Sequence, residues 1–251
     1  MKEITSLQHP LVKHLVKLRQ NNDYRYDHHA LVIEGTKMIA EAESICTFKT
    51  ILTSAPELVP KAIKADEIIL TTTDIIQKIS GLPSSEGILA EVSMPQPADL
   101  KNKKFIVALD RVNDPGNLGT ILRTALALGW EGVFLLDESC DPYNEKALRA
   151  SRGAVFRLPI AHGNWKDLQK IANENKLKAF VADIQGTPFN QISSSDGILL
   201  VLGNEASGPS KETLSSCTAI TIPMPGKMES LNVSVAAGLL LYSLRQNSPS
   251  L

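Results

Sequence analysis

Cysteine is scarce in this sequence: Cys46, Cys140 and Cys217 are the only three in 251 residues. They are far apart and odd in number, which argues against a disulfide framework and for a reducing compartment. None has metal-ligand spacing, so no metal is expected. Net charge is also nearly absent, with 26 Lys and Arg against 27 Asp and Glu. Any contact with a polyanion must therefore rest on local patches. The opening MKEITSLQHP has no apolar signal core. The longest apolar run, around Val235–Leu241, is too short and too close to polar residues to span a bilayer. The Lys-Ser/Thr of a phosphate loop and the three-glycine dinucleotide fingerprint are missing too. No repeat or low-complexity tract is present. These absences leave a soluble, cytoplasmic protein, without a membrane role, long enough for one large or two small domains.

The pattern that is present is an alternation of strands and helices. SLQHPLVKHLVKLRQNN puts Leu11, Leu15 and Leu18 on one helical face, with Pro10 suited to the first turn. His9, Lys13 and Lys17 form a basic stripe on another face, either a solvated surface or a contact with a polyanion. Short elements follow: ALVIEG, KTILTS, DEIILT and GILAEVS read as strands, TKMIAEAES and DIIQKIS as helices. They compose a small α/β unit over residues 1–93. SMPQPADLKNKK has linker composition, and the boundary is placed at 94–103. From 104 to 251 the rhythm is regular. FIVALD, GVFLL, VFRLPI, KAFVAD, GILLVLG and AITIPM read as strands; NLGTILRTALALG, NEKALRAS, WKDLQKIAN and SLNVSVAAGLLLYSLRQ read as helices. Such alternation predicts an α/β fold with a mainly parallel sheet covered on both faces. Ligands of these sheets bind beyond the carboxyl ends of the strands.

Three strand-end loops carry unusual chemistry. In DRVNDPGNLGTILRTA, Asn113, Asp114 and Asn117 are suited to capping, while Arg123 sits in an almost wholly apolar helix. An arginine there should be paired or should reach into a cleft, where its fork of donors can hold a phosphate or carboxylate. In LVLGNEASGP, Gly203 lets a flat ligand lie against bare backbone, and Glu205 either caps the next helix or faces that ligand. In IPMPGKMESLNVSVAAG, Pro223 and Pro225 fix φ and Gly226 turns the chain. Ser230 and Asn232 lie at the start of the last helix, as caps or as ligand contacts. Two prolines in so short a loop suggest a preformed ligand wall.

These three motifs, in this order and at these separations, resemble the SpoU (TrmH) family of S-adenosylmethionine-dependent RNA ribose 2′-O-methyltransferases, within the SPOUT superfamily. LRASRGAVFRLPI resembles a further family segment. ITSLQHPLVKHLVKLR, ALVIEGTKMIAEA and GILAEV resemble its ribosomal-L30-like substrate-binding domain, so the likeness covers nearly the whole chain. The resemblance implies a C-terminal domain with a deep trefoil knot, which periodicity alone would never suggest. It implies that S-adenosyl-L-methionine is cradled by Leu202, Gly203, Asn204, Ile222, Met224, Gly226, Ser230 and Leu231. Arg123 matches the family's catalytic arginine and Asn117 its motif-one asparagine; Glu205, Ser230 and Asn232 match the other polar positions.

Arg149, Arg152 and Arg157 would form an RNA-backbone patch or plain exposed helix charge; Lys13 and Lys17 are further RNA candidates. The expected substrate is ribosomal RNA, with transfer RNA as the alternative within the same chemistry. A non-catalytic RNA-binding protein and a nucleotide-using small-molecule enzyme are the readings from other classes. The last helix is apolar over most of its surface, which fits a homodimer completed through the C-terminal domain.

Overall fold

The computed structural model describes residues 2–192 and 197–246. Two compact units divide the chain: Met1–Gln96 with Tyr143–Leu148, and Pro97–Pro142 with Arg149–Leu251.

The first unit contains β1 (Lys2–Ile4), α1 (Pro10–Gln20), α2 (Asn22–His28), β2 (Ala30–Glu34), α3 (Thr36–Ala42), β3 (Phe48–Thr53), β4 (Ala65–Thr71), α4 (Thr73–Ser80) and β5 (Ile88–Ser93). Its five-stranded sheet runs β1-β4-β3-β5-β2. The β1–β4 and β3–β4 pairs are parallel, whereas β5 is antiparallel to both β2 and β3. Pro10 does open α1, but the buried face is Val12, Leu15 and Leu18, with Leu11 only partly covered. β1 and α2 were not legible in the sequence. A three-residue edge strand carries too little periodicity, and α2 rests on a local cap: the Asn21 side chain accepts from the Tyr24 amide at 2.8 Å. His29, at φ 47°, closes it in the left-handed region.

The second unit contains β6 (Phe105–Asp110), α5 (Pro115–Ala127) and β7 (Gly132–Leu136), then α6 (Glu145–Ser151), whose first turn groups with the first unit. It continues with α7 (Ala154–Arg157), β8 (Ile160–Gly163), α8 (Trp165–Glu174), β9 (Leu177–Pro188), β10 (Gly197–Gly203), α9 (Lys211–Ser216), β11 (Thr218–Thr221) and α10 (Val233–Gln246). Its six strands are all parallel, in the order β11-β9-β10-β6-β7-β8. Every residue of β6, β7 and β10 is buried, which is why each reads as a continuous apolar run. Two strand readings shift. VFRLPI divides into a helical turn and a strand that begins only at Ile160. Gly153, at φ 88°, turns the chain there, and burial of Ala154, Val155 and Phe156 overrides their strand preference. AITIPM stops as a strand at Thr221, two residues before Pro223.

The strand order reverses direction between β6 and β10, which lie side by side with Asp110 opposite Gly203 at their carboxyl ends. That is the topological switch point, where a parallel sheet opens a crevice. The loops after β6, β10 and β11 all leave from this edge.

Candidate active site

On the β9 side of the switch point, at the carboxyl edge of β9 and β10, lies a cleft of about 580 Å³. Seven of the eight residues expected to hold a cofactor line it: Leu202, Gly203, Asn204, Ile222, Met224, Ser230 and Leu231. Gly226 is the exception, exposed and with nothing within 4 Å of where a Cβ would stand. Glu205 and Asn232 line the cleft as well.

The loop after β10 is held from beneath. Asp110 is buried at the end of β6, and its Oδ2 accepts from Ser210 N at 2.7 Å and Thr213 Oγ1 at 2.8 Å. Burial pushes this carboxyl up, but the bonds from Ser210, Thr213 and Arg111 outweigh it and hold the group below the usual carboxylate range. The Asn204 side chain is committed to the loop rather than to the cleft. Its Nδ2 donates to Arg111 O at 2.7 Å, and its Oδ1 accepts from the amides of Ala206 and Ser207, each at 2.9 Å. Gly203 also has a reason other than the expected one. A Cβ there would stand 2.3 Å from Pro209 N and 2.6 Å from the Gly208 carbonyl carbon, so the loop's own fold-back demands glycine.

Three loops meet through one hydrogen-bonded chain. Glu205 accepts from Asn113 N at 3.2 Å, Asp114 N at 3.3 Å and Asn117 Nδ2 at 3.0 Å. Asn117 Oδ1 then accepts from Asn232 Nδ2 at 3.0 Å. A carboxylate can only accept, so it dictates which way the Asn117 amide points, and Asn117 dictates Asn232. Asn232 is left with its Oδ1 to cap α10, accepting from Ser234 N at 2.9 Å and Val235 N at 3.3 Å. The cap is therefore Asn232, not Ser230. Partial burial raises the Glu205 carboxyl, yet the bonds from Asn117, Asn113 and Asp114 win and hold it below its ordinary value. A carboxylate so held is a weak base and a good organiser.

Arg123 departs from its expectation. It is exposed on α5 and, among the described residues, has neither an ion pair nor a hydrogen bond, so the chain of Glu205, Asn117 and Asn232 does not include it. An apolar helix flank tolerates it because its guanidinium stays in water. Arg149, Arg152 and Arg157 are all exposed, with Arg152 at φ 49° where α6 ends. Lys13 and Lys17 are exposed on α1. Ile184 of β9, which lines the cleft beside Asp183, gave no signal in sequence, because β9 runs five residues beyond the KAFVAD run that ends at Asp183. Among the described residues no cluster of His, Cys, Asp and Glu could hold a metal ion, and no helix is long and apolar enough to cross a membrane.

The cleft's size falls in the range of about 300–1,000 Å³ usual for small-ligand sites. Apolar Leu202, Ile222, Met224 and Leu231, together with strand-end backbone, suit a nucleoside with an amino-acid tail. The class so defined is a parallel α/β domain with a cleft suited to a nucleoside-type ligand at the carboxyl end of β10, beside a polar chain of three loops. Residues 104–242 match the family model of the SpoU rRNA methylase family, and residues 9–90 that of the MRM3-like substrate binding domain. The chain is 31% identical to the 23S rRNA (guanosine(2553)-2′-O)-methyltransferase RlmP of Bacillus subtilis, over 98% of this chain and 100% of that protein. It is 29% identical to an AdoMet-bound rRNA methyltransferase from Sinorhizobium meliloti, with a TM-score of 0.88 over 98% of this chain and 97% of that one. The SpoU methyltransferase AviRb from Streptomyces viridochromogenes, solved with the cofactor AdoMet, aligns with a TM-score of 0.84 at 25% identity, over 95% of this chain and 98% of that one. The chain belongs to the SpoU rRNA methylase family.

Proposed function

We propose that this protein transfers the methyl group of S-adenosyl-L-methionine to a ribose 2′-hydroxyl of ribosomal RNA. The observation that carries the reading is the cleft whose walls are the loops after β10 and β11, tied by Glu205, Asn117 and Asn232 to the loop after β6. Leu202, Ile222, Met224 and Leu231 would hold the cofactor, with Gly203, Asn204 and Ser230 at its edges and Gly226 shaping the loop. The cofactor supplies an already activated methyl group. The protein's task is to align the ribose hydroxyl and ease the loss of its proton. Arg123 remains a guanidinium cation, so its part is to bind the neighbouring phosphate and the developing alkoxide. Glu205 and Asn232 hold the loops in register, and Asn117 links them.

The working form is a homodimer built on the C-terminal unit. Val235, Leu239 and Tyr242 are 52%, 45% and 56% exposed and repeat at i, i+4 and i+7 on α10. Such a stripe favours a covering partner. α10 packs on α5, the helix that carries Arg123, with Thr124 Cγ2 3.9 Å from where a Cβ of Gly238 would stand. A second copy seated there would bring its Arg123 toward the first copy's cleft. A trefoil knot in this domain is part of the reading and rests on the family resemblance; the path of residues 222–232 is compatible with it, since from β11 at the sheet edge the chain returns past β9 so that α10 can pack on β10. Residues 1–93 serve as the L30e-like RNA-binding domain, joined through 94–103 to the methyltransferase domain at 104–251. Lys13, Lys17, Arg149 and Arg152 are RNA contacts on this reading. Three free cysteines suit work in the cytoplasm, in ribosomal RNA processing.

The test separates binding from transfer. Arg123→Ala is expected to bind S-adenosylmethionine with wild-type affinity by calorimetry and to lose at least a hundredfold in methyl transfer. A folded Arg123→Ala protein that loses cofactor binding as well would overturn this division of roles.

A further inference from the structure

The first unit contains a polar cluster that its core does not need. Glu91 of β5 is fully buried, and its Oε2 has no hydrogen-bond partner among the described residues. Its Oε1 takes Lys49 Nζ at 3.0 Å and His14 Nε2 at 3.1 Å. Burying a carboxylate with one oxygen unmatched is costly, and an apolar residue at the centre of this strand would avoid the cost. The cost maintains a relay to the surface. With Nε2 donating to the carboxylate, His14 Nδ1 is free to accept from the Tyr24 hydroxyl, 3.0 Å away. Tyr24 is thereby fixed at its far end, and the His28 ring lies against it with centroids 3.8 Å apart and planes 33° off parallel. His28 is itself pinned, its Nδ1 3.0 Å from Tyr24 O. Lys17 Nζ sits 4.1 Å from the Tyr24 ring centre.

The result is a hydrogen-bonded, two-ring platform whose outer member, His28, is exposed, with Lys17 against the Tyr24 ring and Lys13 one turn back on α1. Asp23 and Asp27 precede the two rings by one position each, about 100° around α2. Unpaired nucleobases are bound by stacking on aromatic and imidazole planes, with nearby lysines taking the phosphates. Rings locked beforehand lose little freedom on binding. We infer that the His28–Tyr24 platform, with Lys17 and Lys13, is a stacking site for one unpaired nucleobase of the RNA substrate, held in place from the core by Glu91 through His14. The platform lies within the residues that match a substrate-binding domain. This inference rests on the reading of the protein as an RNA methyltransferase, and it assigns a part of the RNA to named side chains.

The experiment uses the full chain and unmodified ribosomal RNA substituted with 4-thiouridine. Irradiation should place a cross-link on the α2 peptide, residues 22–28. His28→Ala should weaken RNA binding about tenfold while leaving S-adenosylmethionine affinity unchanged. His28→Phe, which keeps a stacking plane without a charge or a hydrogen bond, should restore most of the loss. Cross-links confined elsewhere, with wild-type affinity in His28→Ala, would overturn the site while methyl transfer by the wild type still upheld the enzyme reading. A loss in His28→Ala that His28→Phe does not repair would overturn stacking as the mode of binding. An intact wild-type protein that neither binds nor methylates this RNA would sink both.

Discussion

Asp110 and Glu205 are two carboxylates at one edge of a sheet with the same task at different depths. Asp110, buried, ties α9 and the start of its loop to β6; Glu205, exposed, ties the loop after β10 to the start of α5. Replacing Asp110 with Asn forces an N–H to face a donor, either Ser210 N and Thr213 Oγ1 on one side or Arg111 Nε on the other. The expected loss in denaturant unfolding is about 2–3 kcal/mol, together with weaker cofactor binding. Both carboxyls are held below the ordinary range. A depressed carboxyl contributes stability that is present above the unfolded value, about 4, and is lost as pH falls through the lower folded value. The stability these two carboxyls contribute should therefore be flat from neutral pH down to about pH 4 and be lost below it, as denaturant unfolding at a series of pH values can follow. At this scale the sequence was partly legible. Asn117, Glu205 and Asn232 stood out because polar residues clustered at three strand ends, and they do meet. Asp110 did not, since an aspartate ending an apolar strand looks like any strand end until its partners, Ser210 and Thr213, are seen a hundred residues on. Gly203 was noticed for a reason the structure replaces: Pro209 rather than a ligand occupies the space where its Cβ would stand.

Among the elements, α5 and α10 form the pair on which the site depends, because one carries Asn117 in its first turn and the other is capped by Asn232. Gly238 lies inside α10 with only Thr124 Cγ2, at 3.9 Å, near its missing Cβ. Gly238→Ala should fit and should stabilise the protein by about 0.5–1 kcal/mol through the helix preference of alanine. A fall in melting temperature would mean that the two helices need the closer approach. The strands β6, β7 and β10 were readable because burial on both faces makes each a continuous apolar run. α7 was not, because Val155 and Phe156 have strand preferences that packing overrides. α2 escaped for the opposite reason: NDYRYDH has little apolar periodicity, and a cap from Asn21 holds it.

For the whole molecule, a net charge of −1 places the burden of RNA binding on local groups. The exposed stripe of Val235, Leu239 and Tyr242 makes assembly the testable property at this scale. Leu239→Glu should sediment as a monomer, keep S-adenosylmethionine binding, and lose methyl transfer because no second Arg123 reaches the cleft. A monomeric wild type with full activity would remove the dimer from the account. The proposed knot was beyond periodicity, since threading leaves no local pattern, and the family resemblance alone implies it; the proposed pairing of copies had a local sign in the apolar surface of the last helix. The central claim is the chemistry, and one measurement addresses it most directly: transfer of labelled methyl from S-adenosylmethionine to unmodified total RNA, followed by size fractionation and nucleoside digestion. The account predicts label in a 2′-O-methylnucleoside from the ribosomal fraction. Label on a base, or no label from a protein that binds no S-adenosylmethionine, would contradict it.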